Sequence, residues 1–151
     1  MMIGCPGFTV SVPDGWRDVT DSLEQEACPF TLAVPDDGVG ALQFSPAIYR
    51  GGRTPSPTVG DLAAMLFEFA EKQGFDHPIA HDTFSNGLIG ATASFQSGGD
   101  FIAVWYVSDG KNIMLVTYVC DWSCKDVEAN AREAIVRSIR FNPSTIVEKT
   151  N

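Results

Sequence analysis

Few side chains in this sequence have the types and spacing that catalysis or metal binding requires. His77 and His81 lie on either side of Pro78, and the proline argues against a helix that would bring both imidazoles onto one face. Cys120 and Cys124 are separated by three residues, and a zinc site would need two further ligands from elsewhere. We therefore expect partly exposed loop histidines, reduced thiols, and no bound metal or cofactor.

The four cysteines leave two alternatives to reduced thiols. Cys5 and Cys28 would complete a zinc site if the fold brought them to Cys120 and Cys124. A disulfide between Cys120 and Cys124 is the second alternative. Buried thiols that pack like small apolar side chains are commoner than either, and the spacing does not match the disulfide framework of a small secreted domain.

Carboxylates are concentrated near the beginning of the sequence. Between residues 14 and 37 there are seven acidic residues and one base, Arg17. Paired carboxylates could act as general acid and base, but a solvated acidic loop is the commoner arrangement. We predict that this stretch contacts a basic partner protein. The residues assigned to that contact are Asp18, Asp21, Glu24, Glu26, Asp36 and Asp37, and Asp14 completes the seven.

Composition and motifs exclude several classes of function. The sequence contains no GxSxG, Walker or GxGxxG motif, so no enzyme is predicted. The net charge of −9 argues against a nucleic-acid partner, because phosphates would be repelled. Residues 1–10 have no basic or long apolar run, so we expect no signal peptide, no membrane partner and a cytoplasmic location. We predict one domain over residues 1–142 and a polar tail over 143–151.

Apolar patterns predict the strands. Alternation indicates strands over residues 8–12, 30–34, 41–49, 79–84 and 88–96. Residues 101–107 and 113–120 are apolar on both faces and are joined by a turn at Asp109-Gly110. Such strands must be covered on both sides, and the tight turn makes their pairing antiparallel. Trp105 lies within this pair and is predicted to be buried.

Capping signals predict two helices. The first spans Thr58–Gln73, with Thr58 and Asp61 as a capping box and Gly74 as its C-cap. The second spans Lys125–Ser138, with Ser123 and Asp126 as its capping box. The predicted fold is α+β, an α/β/α sandwich whose antiparallel sheet is covered by one helix on each face. Trp122 precedes the second helix and is a candidate contact anchor.

Four segments together cover most of residues 8–141: FTVSVPDGW, TVGDLAAMLFEFAEKQGF, FIAVWYVSDGKNIMLVTYVC and SIRF. Their arrangement resembles the PsbP/DcrB-like family of α/β/α sandwiches. The resemblance implies a protein without enzymatic activity that acts through protein contacts, and it supplies no catalytic residues. The family includes photosystem extrinsic subunits, a nuclear-import cofactor, periplasmic lipoproteins and cytosolic chaperones for type VI secretion effectors. The chaperones look most similar.

The leading hypothesis is therefore a non-catalytic cytosolic protein-binding module. A bacterial effector chaperone and a toxin-neutralising immunity protein both fit, with a basic or secreted partner, and the sequence leaves a homo-oligomer open. The alternative is a small-ligand-binding domain or an unrecognised enzyme with a pocket beside the sheet. A deep pocket with converging polar groups would favour the alternative.

Overall fold

The structure, a computed structural model, describes residues 1–22 and 29–142. Within these residues the chain forms ten strands and two α-helices, which confirms the predicted α+β class. The strands are β1 (Met2–Cys5), β2 (Phe8–Ser11), β3 (Arg17–Asp18), β4 (Phe30–Ala33), β5 (Gly40–Ala47), β6 (Ala80–Phe84), β7 (Ile89–Ser97), β8 (Asp100–Ser108), β9 (Ile113–Asp121) and β10 (Arg140–Phe141). The helices are α1 (Val59–Gln73) and α2 (Ala129–Arg137). Short 3-10 turns occupy Thr20–Ser22 and Trp122–Cys124.

The described strands form two antiparallel sheets. The large sheet has the order β3-β4-β5-β9-β8-β7-β6, and the small sheet has the order β1-β2-β10. Consecutive hairpins connect β6, β7, β8 and β9, whereas α1 carries the chain from β5 to the opposite edge at β6. The predicted antiparallel sheet is confirmed, and the small sheet is an addition that the sequence patterns did not predict.

The central strand β8 packs into a different apolar cluster on each of its faces. Its alternate residues from Phe101 to Val107 are buried with Ile135 of α2 and with side chains of the small sheet. Val104, which points the other way, is buried with Leu62 and Leu66 of α1. Successive side chains of a strand point to opposite faces. This double burial explains why β8 is apolar at every position from Phe101 to Val107.

Helix α1 has both ends that its sequence predicts. Thr58 Oγ1 accepts a hydrogen bond from the Asp61 amide at 3.1 Å, and Asp61 Oδ2 accepts one from the Thr58 amide at 2.9 Å. Gly74 closes the helix in the left-handed conformation, with φ 75°. These local contacts satisfy backbone groups that a helix end otherwise leaves without partners.

The predicted start of the second helix is wrong. Helix α2 begins at Ala129, and the Ser123 amide and hydroxyl donate to Asp121 Oδ1 at 3.0 and 2.9 Å. Ser123 therefore does not form the predicted capping box with Asp126. The Asp121 carboxylate instead caps a 3-10 turn that precedes α2. Glu128 is the N-cap residue of α2, and its side chain forms no capping hydrogen bond.

We expect Gly40→Ala to destabilise the protein by about 1–3 kcal/mol, as overpacking of a core usually does. Gly40 begins β5, and a β-carbon there would lie 2.5 Å from the Tyr118 ring and 2.6 Å from the Val119 carbonyl oxygen. Urea unfolding measures the change. Gly4→Ala is the matched control, since a β-carbon at that strand position meets nothing within 4 Å. Equal stability of the two variants would contradict this packing.

Trp105→Ala should cost about 3–5 kcal/mol, the usual range for removing a large buried aromatic ring. The Trp105 side chain is 2% exposed, and its Nε1 donates to Glu133 Oε2 at 3.1 Å. Trp105→Phe separates the two contributions, because it keeps a ring but removes the donor. An unfolding midpoint that does not change in Trp105→Ala would show that β8 is not a core strand.

Candidate protein-binding site

The structure divides the described carboxylates of the acidic stretch between two places. Asp18 and Asp21 lie beside β4 at the β3 edge of the large sheet, where Asp18 Oδ1 accepts from the Thr20 amide at 3.0 Å and from its hydroxyl at 2.6 Å. Asp36 and Asp37 are exposed in the turn between β4 and β5. Of the described residues, the pair Asp18 and Asp21 therefore lies in different elements from the pair Asp36 and Asp37.

Some of the predicted residues lie outside the described part of the chain. Glu24, Glu26 and Cys28 fall within residues 23–28, and the predicted polar tail is residues 143–151. The contact assigned to Glu24 and Glu26 stays a prediction.

The strand register brings the turn between β4 and β5 close to Trp122. Gly40, the first residue of β5, pairs with Cys120 near the end of β9. Asp100, the first residue of β8, pairs with Asp121. The turn before β5, the start of β8 and the 3-10 turn at Trp122 therefore share one end of the large sheet.

We call this surface the acidic end. Its exposed carboxylates are Asp36, Asp37, Asp100, Asp121 and Asp126. Two apolar side chains accompany them: Trp122 is half-buried and Val127 is 67% exposed. Sequence reasoning identified Asp36, Asp37 and Trp122, but it missed Asp100 and Asp121 and assigned Asp126 to a helix cap. The period-2 pattern of a strand does not reveal which residue of another strand lies opposite.

Trp122 is fixed from the core side and covered by a lysine. Its ring centroid lies 6.3 Å from that of Phe101, and Lys125 Nζ lies 4.7 Å from the Trp122 ring centroid. The same lysine is 3.9 Å from a carboxylate oxygen of Asp126. Surface contacts of this kind contribute little to stability. These contacts therefore hold Lys125 over the indole only weakly.

Asp121 carries its charge over a wide range of pH. The Ser123 amide and hydroxyl both donate to its carboxylate, and these hydrogen bonds lower the pKa of Asp121 below its ordinary value. A hydrogen bond to the charged form of an acid favours that form. The acidic end therefore keeps this negative charge at any physiological pH.

A cleft of about 490 Å³ lies elsewhere in the molecule, between α2 and the strands β6, β7 and β8. Its polar lining includes Asp82, Thr92, Ser94, Arg132 and Glu133. None of these residues was assigned to a site from the sequence, because β6, β7 and α2 are brought together only by the fold. The cleft is the kind of feature that the small-ligand alternative requires.

The remaining candidate residues do not converge. His77 is exposed in a loop, as expected, but His81 lies on β6 rather than in a loop. Cys120 and Cys124 are not joined by a disulfide. Among residues 1–22 and 29–142, no group of three or more His, Cys, Asp and Glu side chains is placed to hold a metal ion. No helix in the same residues has the length and apolar character needed to cross a membrane.

No family model and no curated protein matches this chain in sequence. Solved structures do match its fold. The Ran-binding protein Mog1p of Saccharomyces cerevisiae aligns with a TM-score of 0.61 at 10% identity, over 93% of this chain and 93% of its own. Cyanobacterial PsbP (CyanoP) from Synechocystis sp. PCC 6803 aligns with a TM-score of 0.60 at 11% identity, over 91% of this chain and 88% of its own.

A protein of Bacteroides thetaiotaomicron aligns with a TM-score of 0.59 at 15% identity and covers 89% of this chain. The chain spans 45% of that protein's length. At identities this low the likeness concerns the fold alone. It confirms the PsbP-like fold that the sequence resemblance implied, a fold that Mog1p shares.

Ser123→Ala should raise the pKa of Asp121. The variant removes the hydroxyl donor to Oδ1 and keeps the backbone donor, so the ionised carboxylate loses part of its stabilisation. A ¹³C NMR titration of the aspartate carboxyl carbons measures the midpoint. Ser85→Ala, an exposed serine beyond the far end of β6, is the control and should leave the Asp121 midpoint unchanged. A midpoint that stays or falls in Ser123→Ala would contradict the assigned hydrogen bonds.

Proposed function

We propose that this chain is a non-catalytic protein-binding module and that the acidic end is the surface that meets a basic partner protein. One observation carries the proposal: five exposed carboxylates from three separate segments lie at the same end of the large sheet as Trp122 and Val127. The segments are the turn between β4 and β5, the start of β8, and residues 121–127. The location that we propose is the cytoplasm.

The chemistry of this surface fits recognition better than catalysis. Acidic groups around the rim attract a basic partner over several ångströms and increase the rate of productive encounter. Partly buried aromatic side chains provide much of the affinity at the centre of an interface. Trp122 and Val127 provide the apolar centre here, and the carboxylates provide the rim.

The fold supports the same class of function. Mog1p is described as a Ran-binding protein, so at least one protein with this fold binds another protein. We also infer that α1 and α2 cover opposite faces of the large sheet, which is supported by the separate apolar clusters that they join. With both faces covered by helices, the ends of the sheet become the natural places for contact.

An effector chaperone or a toxin-neutralising immunity protein is one form that such a module takes. The fold neighbours lend support to neither role, and they do not favour an enzyme or a small-ligand-binding domain as the main function. The proposal is therefore restricted to a protein partner with a basic surface.

Affinity capture from extract of the native cell tests the proposal when three baits are compared. The first bait is the unchanged protein, the second carries Asp36→Asn and Asp37→Asn, and the third carries Asp18→Asn and Asp21→Asn. Each double variant removes two exposed charges, and asparagine retains an oxygen acceptor for the local turn. Asparagine also tolerates the positive φ of 70° at Asp36. A partner that uses the acidic end is lost from the second bait and kept by the third.

For a captured partner, Asp36→Asn with Asp37→Asn should slow association several-fold at low salt. The difference should shrink as salt rises, because the Debye length falls to about 8 Å in physiological salt. Val127→Ser should act mainly on dissociation, since it removes apolar contact without changing charge. Stopped-flow or surface-plasmon kinetics across a salt series separate these effects.

Lys125→Gln provides the opposite change. It removes the cation that covers the Trp122 ring and adds one unit of net negative charge, so association with a basic partner should become faster. If association is indifferent to salt and to every one of these substitutions, the acidic end is a solubilising surface and the proposed function is wrong.

A further inference from the structure

Arg132 of α2 is a buried cation with an unsatisfied donor. The residue is 8% exposed, and its Nη1 is buried without a hydrogen bond in the described part of the chain. The guanidinium carbon lies 4.6 Å from the Tyr118 ring centroid and 4.9 Å from that of Phe101. Two aromatic faces stabilise the positive charge, but they do not accept the in-plane N–H groups that a guanidinium presents.

The carboxylate one helical turn before Arg132 is already engaged. Glu128 lies one helical turn earlier, and its Oε1 accepts a hydrogen bond from the Tyr118 hydroxyl at 2.7 Å. Glu128 forms no ion pair with Arg132, and neither does any other carboxylate of the described residues. A buried donor without a partner is costly, and a buried charge without a counter-ion more so. Nη1 of the guanidinium therefore lacks an acceptor among the described residues.

Arg132 lines the cleft between α2 and the strands β6 to β8. The volume of about 490 Å³ is within the usual range for small-molecule sites. Ala103 and Trp105 give the cleft an apolar floor, and the hydroxyls of Thr92 and Ser94 lie along β7. A buried cation beside an apolar floor suits a ligand that has one anionic group and an apolar body.

We propose that this cleft binds the carboxylate of an organic acid, with Arg132 as its anion partner. A planar carboxylate matches the two parallel N–H groups of a guanidinium and can accept both. Trp105 and Ala103 lie beneath the apolar part of the ligand. The cleft binds the acid without transforming it, and the proposal does not rest on the acidic end, which is formed by other residues.

The charges around the cleft favour a carboxylate over a phosphate. Asp82 and Glu133 also line it, and both repel an anion. Glu133 is partly compensated, because Trp105 Nε1 donates to it at 3.1 Å and Arg137 Nε at 2.9 Å. The two carboxylates outnumber the one guanidinium of the lining, so a phosphate monoester, with about −1.5 to −2 charges at neutral pH, meets roughly twice the net repulsion that a carboxylate meets.

Titration with benzoate tests the proposal, followed by ¹⁵N NMR at Arg132 Nε and Trp105 Nε1. We expect saturable shifts at both nitrogens. Binding should be roughly tenfold or more tighter than for benzamide, the neutral analogue of nearly equal shape, or for inorganic phosphate. N-acetylphenylalanine represents a peptide chain end. Tighter binding of this compound than of benzoate assigns the site to a protein C-terminus, and the reverse assigns it to a free organic acid.

Substitutions separate the cation from the rest of the cleft. Arg132→Gln should abolish the saturable shift at Trp105, and Arg140→Gln, which removes an exposed charge outside the cleft, should not. If Arg132→Gln does not fold, Arg132→Lys retains the charge but loses the paired donors, and Ser94→Leu fills the cleft without touching the guanidinium. Both should weaken benzoate binding. Equal binding of benzoate and benzamide, benzoate binding that persists in Arg132→Gln, or no saturation at tens of millimolar benzoate would overturn the proposal.

Discussion

The strands β8 and β9 have apolar side chains on both faces, and this constraint determines most of the structure. Leaving either face in water would expose a continuous apolar surface, so each face must be covered. Side chains of α1 join one apolar cluster, and those of α2 and the small sheet join another. Faces that are filled in this way leave little room for catalytic or binding groups. Such groups must lie in loops at the ends of the sheet or in gaps where a helix does not reach an edge strand.

Tyr118 shows how the core determines the geometry of α2. Its ring lies against Gly40, where a side chain would not fit, and its hydroxyl donates to Glu128. Burial, followed by the hydrogen bond and charge of Glu128, raises the pKa of Tyr118, so the phenol remains a protonated donor. Glu128 is thereby held at the residue before α2. The same hydrogen bond occupies a carboxylate that Arg132, one turn later, would otherwise meet.

The sequence predicted those elements whose signals are local. Thr58, Asp61 and Gly74 lie next to the helix that they cap, so α1 was predicted at both ends. The two-residue strands β3 and β10 exist because a distant strand pairs with them, and no pattern of two residues can reveal that. At the acidic end, Trp122 was predicted from its residue type and its position before the second helix. Asp100 and Asp121 become neighbours because β8 and β9 pair in a particular register. No short stretch of the sequence reveals that register.

The two proposed sites differ in the range over which their charges act. In a chain with a net charge of −9, exposed carboxylates reinforce one another, and the acidic end attracts cations from beyond contact distance. Arg132 is covered by two aromatic rings, so its positive charge acts only at short range. The net negative charge of the protein therefore repels an approaching carboxylate until the carboxylate is nearly in contact with the guanidinium. Screening by salt weakens the attraction at the acidic end and also weakens the repulsion at the cleft. Salt therefore acts in opposite directions at the two sites, because one depends on long-range charge and the other on short-range hydrogen bonds.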